Sequence, residues 1–396
     1  MITIIKGAKV YSPSYLGKKD ILLLNNKIAA IEDTIVCNFS CPLEINEIDG
    51  EGKVVVPGFI DTHVHMLGGG GEGGFKTRTP EIMLTDLTKA GITTVVGCLG
   101  TDGITRNMTS LLAKARGLDE EGLTTYIYSG SYQIPAKTLT KSVMEDIIVI
   151  DKVIGVGEIA ISDHRSSQPT LEDFSKLAAE ARVGGMLSGK AGILDIHLGD
   201  GERGLELLNA TIKTTEIPMS QFLPTHINRN GSLFEEGIKY AKAGGYIEFT
   251  ANEDADFWAE QDGEIRVSQG IKRLLKEGVS DDNFTISSDA QGSLPVFDKD
   301  KKFIGLGVGS ASSLIKEIKE CVLKERIPLE IAIKTITSNP ARVLKLQNKG
   351  SLKVGFDADL CILDELTLDV DSVIAKGKLM VDKKKPVVLG TFEKSI

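Results

Sequence analysis

Along residues 1–56 the chain alternates apolar and polar positions in short runs, MITIIKGAKV, DILLLNNKIAAIE and EGKVVVPG, broken by Gly, Asn and Asp. That period and punctuation predict β-strands with one buried face. Residues 347–396 have the same texture in GSLKVGFDADLCILD, VDSVIAKGKLMV and PVVLGTF. Between these ends, over residues 57–346, the pattern changes. Apolar, β-branched runs recur as FIDTHVH, ITTVVGCLG, TTYIYSG, VIGVGEIAIS, GILDIHLGD, QFLPTHIN, GGYIEFTAN and NFTISSD. Segments with helical spacing separate them, among them PEIMLTDLTKAG, SLLAKARGLDEEG, LEDFSKLAAEARVGGML and SLFEEGIKYAKAGG. Eight β-α alternations predict an α/β chain with a (β/α)8 TIM barrel over residues 57–346. Residues 1–56 and 347–396 would then join as a small β-sandwich domain. A doubly wound sheet fits less well, because no GxGxxG opens a helix after the first strand.

Composition narrows the partners. The chain has 396 residues, 41% hydrophobic and 26% charged, with a formal net charge of -9. A nucleic-acid binder would carry a basic face, so no nucleic-acid partner is expected. No apolar run approaches the ~20 residues of a membrane span, so no membrane partner is expected either. The N-terminus lacks a charged-then-apolar signal layout, so secretion is not expected. The five cysteines, Cys37, Cys41, Cys98, Cys321 and Cys361, are odd in number and scattered. They read as reduced thiols of a cytoplasmic protein. Cys37 and Cys41 are close in sequence, but no second pair completes a metal site.

The barrel reading gives the histidines meaning, because barrel chemistry sits at the C-terminal ends of the strands. His63 and His65 end the first strand run, Glu158 lies in the fourth, His197 ends the fifth, His226 the sixth and Asp289 the eighth. Four of the five histidines thus fall at one rim, and only His164 is left as structural or supporting. Alternate strand residues share a face, so the His-x-His spacing aims both imidazoles the same way. Imidazoles and carboxylates without thiolate suit Zn2+ and similar divalent ions. Six such groups exceed one tetrahedral site but fit two metals sharing a carboxylate and a water. His63, His65 and Asp289 would hold one ion, His197 and His226 the other, with Glu158 between them.

PGFIDTHVH, the later strand-end histidines and SSD resemble the amidohydrolase superfamily. HVHMLGGGGEGGFKTRTPE, SDHRSS, ARVGGMLSGKAG, PTHINRN and SSDAQGSLPVFD resemble the bacterial isoaspartyl dipeptidases within it, and the likeness spans nearly the whole chain. That resemblance implies a cytoplasmic homo-oligomer that cleaves β-aspartyl dipeptides with two zinc ions and a metal-bridging hydroxide. It implies that Asp289 is the general base and acid and that Tyr132 helps to polarise the scissile carbonyl. It places Glu72 at the substrate's ammonium group and Arg165 and Arg229 at carboxylates, with Thr101 and Ser293 as supporting hydrogen-bond donors. The glycines around Glu72 would let the backbone approach a small zwitterion closely. A cyclic-amide hydrolase or an N-acyl-amino-acid deacylase would keep the metal site without needing Glu72, Arg165 and Arg229 together. A non-catalytic scaffold would lose ligands, whereas every histidine is present here.

One position departs from the resemblance. The bridging group of those dipeptidases is usually a lysine carbamate on the fourth strand, and the matching residue here is Glu158. Its carboxyl carbon lies three bonds nearer the backbone, a shortfall of roughly 3–4 Å. Either the fourth strand bends inward, with Gly157 allowing a bulge, or the metals shift; the alternative is one firmly held metal and one weak one.

Overall fold

The structure is a computed structural model, and it describes residues 2–36, 44–253, 255–297 and 303–394. Cys37 and Cys41 lie outside the described residues.

The two ends of the chain do combine, as their shared texture predicts. The first end supplies β1 (Ile2–Tyr11), β2 (Tyr15–Leu24), β3 (Lys27–Glu32), β4 (Ile45–Asp49) and β5 (Lys53–Pro57). The barrel-type strands follow as β6 (Phe59–Val64), β7 (Ile92–Gly97), β8 (Thr124–Ser129), β9 (Val153–Ile161), β10 (Ile193–Leu198), β11 (Phe222–Thr225), β12 (Ile247–Thr250) and β13 (Phe284–Ser287). A hairpin that the sequence pattern did not predict comes next, β14 (Ser293–Phe297) and β15 (Phe303–Val308). The second end supplies β16 (Leu360–Asp364), β17 (Val370–Ala375), β18 (Lys378–Asp382) and β19 (Lys385–Pro386).

Strands of both ends pair into one nine-stranded sheet, ordered β19-β18-β17-β16-β5-β1-β2-β3, with β4 on β1. The join is antiparallel, with Cys361 opposite Val56 and Leu363 opposite Val54. Alternate residues of these strands (Ile5, Val10, Ile21, Leu23, Val55, Ile362) form a core of their own, distinct from the barrel's.

β6 to β11 form a six-stranded parallel sheet in chain order, and β12 pairs in parallel with β13. Two backbone links tie these sheets into a TIM-barrel-type ring. The Ile227 amide, just past β11, donates to Glu248 of β12 at 3.1 Å. Beyond β13, Ala290 bridges Val64 and accepts from the His65 amide at 2.9 Å. Large buried side chains such as Phe59, Phe222, Phe249 and Phe284 fill the core between strands and helices.

The helices start where side chains can satisfy their free amides. Asn107, Ser142, Thr170 and Asn230 each accept from the amide three residues on, which holds the strand-to-helix turns in fixed positions. The expected helix over PEIMLTDLTKAG is shortened to Leu84–Thr88. Much of the β6–β7 connection is instead a glycine loop, and the site is built partly from it.

Candidate metal centre and active site

The strand ends bring the predicted residues together. His63, in β6, is fully buried, as are Glu158 in β9 and His197 in β10, each at 3% exposure or less. His65, His226 and Asp289 lie just past β6, β11 and β13. His226 (φ 62°) and Asp289 (φ 50°) adopt left-handed backbone, a strain of about 1–3 kcal/mol of the kind that collects at functional sites. It turns both side chains from the strand line toward the ring axis.

Glu158 is the hub. Its Oε2 lies 3.2 Å from His63 Nε2, 3.0 Å from His197 Nδ1 and 3.6 Å from His226 Nε2, and its Oε1 lies 3.4 Å from His65 Nε2. Asp289 Oδ1 adds contacts at 3.0 Å to His65 Nε2 and 3.8 Å to His63 Nε2. The bulge expected of this strand is present. Val156 pairs with Leu194 but Ile159 pairs with Ile196, so β9 inserts one extra residue at the Gly157–Glu158 step. Gly157 sits at φ 152° against Asp195, and a Cβ there would lie 2.7 Å from the Asp195 Cβ and 2.8 Å from its carbonyl oxygen. Only glycine lets β9 come this close to β10 and carry the short glutamate to the imidazoles.

Do these residues fit metal ions? His63 Nε2, Glu158 Oε1 and Asp289 Oδ1 are buried without a hydrogen-bond partner. Such atoms cost free energy unless something lies between them. Among the described residues three groups of metal-ligating atoms are compact to within 4.8 Å: His63–His65–Cys98–Glu158 and Glu158–His197–His226, which share Glu158, and His63–Asp195–Glu248. Cys98 Sγ stands 3.7 Å from His65 Nδ1, the nitrogen turned away from Glu158 and Asp289, so it backs the ring. Electrostatics agree. Burial pushes the Glu158 carboxyl up, but His63, His197 and His226 outweigh this and hold it well below the usual range. Asp289 is likewise raised by burial and drawn down to about 2 by His65 and His63. Burial and the charges of His197 and Arg229 hold His226 at about 3, as a neutral imidazole, although Glu158 opposes them. Buried carboxylates facing imidazoles make a cavity for positive charge, and the donor set suits divalent ions.

Above this cluster opens a cavity of about 760 Å³, lined by Glu72, Thr101, Tyr132, Arg165, Arg229 and Ser293. All the predicted substrate-binding residues are thus brought together. Tyr132 Oη is 2.9 Å from His197 Nδ1, and burial holds its phenol protonated well above the ordinary range. Glu72 accepts from Thr101 Oγ1 at 2.7 Å and meets Arg165 Nη1 at 3.3 Å. Arg165 also donates to Asp163 at 3.0 and 2.7 Å and lies 5.3 Å from the centre of the Tyr132 ring. His164 is largely exposed at the cavity rim.

Sequence reasoning missed several residues. Asp163 bonds both Arg165 and His197 Nε2, the latter at 3.0 Å; its place two residues before Arg165 in SDHRSS was the available signal. Asp195 Oδ2 stands 3.2 Å from His63 Nδ1, and its position two before His197 on the same strand face could have pointed inward. Trp258, Leu294 and Leu306 line the apolar side of the cavity. They come from a helix and a hairpin whose placement no local pattern reveals.

Known proteins share this arrangement. The Amidohydrolase family model matches residues 54–392. A solved beta-aspartyl dipeptidase from the thermophilic keratin degrader Fervidobacterium islandicum AW-1, in complex with the beta-Asp-Leu dipeptide, is 49% identical over 99% of each chain, with a TM-score of 0.91. The same organism's dipeptidase in a second structure is 48% identical, covering 99% of this chain and 100% of that one, with a TM-score of 0.89. A deacetylase of Brucella anthropi is 22% identical over 86% of this chain and 78% of its own length. A family model spanning most of the chain and a full-length likeness near one-half identity leave one conclusion: this chain belongs to the amidohydrolase family and, within it, to the family of the beta-aspartyl dipeptidases.

Proposed function

We propose that the chain hydrolyses the isopeptide bond of β-aspartyl dipeptides with a pair of divalent metal ions, Zn2+ in the first instance. His63, His65 and Asp289 would hold one ion, His197 and His226 the other, and Glu158 would serve both. Bound there, the ions would polarise the scissile carbonyl and make water acidic enough to supply a nucleophile near neutral pH. The remaining work falls to the chain. Tyr132, kept as a phenol by burial, donates a hydrogen bond to the oxygen that becomes negative in the transition state. Asp289, a carboxylate beside His65, takes the water's proton and returns it to the departing amine. At the mouth, Glu72 receives the substrate's ammonium group, while Arg165 and Arg229 receive its carboxylates, with Thr101 and Ser293 donating hydrogen bonds around them.

The observation that carries this reading is the pairing of opposite charges at the mouth. Glu72 and Arg165 meet at 3.3 Å over a buried metal-ligand cluster. A zwitterion with one ammonium and two carboxylates complements that rim. A simple hydantoin has no such charges. The related dipeptidase with beta-Asp-Leu bound supports the same substrate class.

We further assign residues 57–346 to the catalytic barrel and 1–56 with 347–396 to a small β-sandwich domain, on the strength of a second core formed wholly by the terminal segments. Among the described residues no helix is long and apolar enough to cross a membrane. A cytoplasmic homo-oligomer is the setting we propose. The deciding assay compares β-Asp-Leu with α-Asp-Leu, a hydantoin and N-acetyl-leucine on metal-loaded protein. Selective cleavage of β-Asp-Leu supports the reading, and preference for either of the last two overturns it.

A further inference from the structure

Glu72 sits on an exposed loop tip, yet the neck of that loop is buried and tightly bonded. A Cβ on Gly68 would lie 2.2 Å from the Thr79 carbonyl oxygen, and one on Gly70 would lie 2.7 Å from that of Thr77. The two limbs therefore touch backbone to backbone. The Thr79 amide donates to Gly69 O at 3.0 Å, and Gly70 bridges Arg78.

One side chain spans both limbs. Arg106, 5% exposed, reaches in from the loop after β7. Its Nε donates to Leu67 O at 2.9 Å and its Nη1 to Gly70 O at 3.4 Å, both on the entering limb. Its Nη2 donates to Thr79 O at 3.0 Å on the leaving limb. The planar guanidinium spreads its donors over three diverging carbonyls, a geometry that the single nitrogen of a lysine does not reproduce. Asp102, 3.8 Å from Nη1, steadies the fork from behind. Thr101, which holds the Glu72 carboxylate, lies in the same post-β7 loop, so one segment grips both the neck of the glycine loop and its functional residue.

We propose that Arg106 is a positioning residue: by clamping both limbs of the glycine loop it holds Glu72 at the cavity mouth for the substrate's ammonium group. The inference rests on the β-aspartyl dipeptidase reading and is separable from it. The test uses β-Asp-Leu as substrate and N-succinyl-leucine, the same molecule without its ammonium group, as competitive inhibitor. Both are measured on wild type, Arg106→Met, Arg106→Lys and Glu72→Gln. Losing charge-assisted hydrogen bonds that place Glu72 should raise KM for β-Asp-Leu roughly 10–100-fold in Arg106→Met. The kcat and the inhibition constant of N-succinyl-leucine should each stay within about threefold, the pattern of lost ground-state binding. Arg106→Lys should fall between, and Arg106→Met should add little to Glu72→Gln. Thermal melts check folding, and Arg106→Lys carries the test should the methionine variant not fold. Equal weakening of dipeptide and N-succinyl-leucine, or a fall in kcat at unchanged KM, overturns the proposal. A wild type inactive on β-Asp-Leu would instead refute the functional reading.

Discussion

Replacing Glu158 by lysine tests whether the strand has been rebuilt around a short carboxylate. A carbamylated lysine would carry its carboxylate three bonds farther out, about 3–4 Å. Here β9 has already closed that distance with its extra residue at the Gly157–Glu158 step. It cannot retreat cheaply, since Gly157 already packs on Asp195 with no room for a methyl group. A carbamate at position 158 would therefore overshoot into His197 and His226, which now stand 3.0 and 3.6 Å from the Glu158 carboxylate. An uncarbamylated lysine would leave an unpaired ammonium among imidazoles, a penalty of about 3–5 kcal/mol. Metal affinity should fall by roughly 10²–10⁴ either way. The assay is metal content by elemental analysis together with β-Asp-Leu hydrolysis, each with and without added bicarbonate. Glu158→Lys should bind fewer ions and stay inactive in both conditions, while Glu158→Gln, which keeps the shape, should retain more metal. Recovery of full activity by Glu158→Lys on adding bicarbonate would refute the argument, for it would mean that the bulge does not set the reach of this position.

Two further outcomes follow from the geometry. Asp289→Asn should lower kcat by about 10²–10⁴ with a smaller change in KM, measured by steady-state kinetics on metal-loaded protein. Glu317 is 3% exposed, and burial, with Glu320 and Glu264 nearby, pushes its carboxyl up to about 8 from an ordinary 4.5. Between those values the folded chain keeps a proton that the unfolded chain has lost, so stability falls as pH rises through that window and levels off above it. Glu317→Gln should flatten this part of the melting-temperature profile, recovering up to ~5 kcal/mol above pH 8; an unchanged slope from pH 5 to 8 would contradict it.

Much of this was legible in the residues, for physical reasons. The (β/α)8 order was readable because buried parallel strands are near-continuous apolar runs, and a His-x-His at a strand end aims both imidazoles to one face. A bulge at Gly157 was readable as one way to make up three missing bonds, since glycine allows the closer approach. What could not be read depends on contacts between distant segments. The hairpin β14–β15 carries Leu294 and Leu306 to the cavity, though glycine and proline in SLPVF and FIGLGV weaken any strand signal. Asp163 and Arg106 are ordinary charged residues in polar stretches, and only the fold shows the first against His197 and the second across the neck of the glycine loop. The terminal strands pair as one continuous nine-stranded sheet, because β16 pairs directly with β5 across the two ends of the chain.

Anomalous diffraction from crystals grown with Zn2+ tests the centre of this account most directly. Two peaks flanking the Glu158 carboxylate are predicted, one among His63, His65 and Asp289 and the other between His197 and His226. A single peak that does not touch Glu158, or peaks away from these side chains, would contradict it.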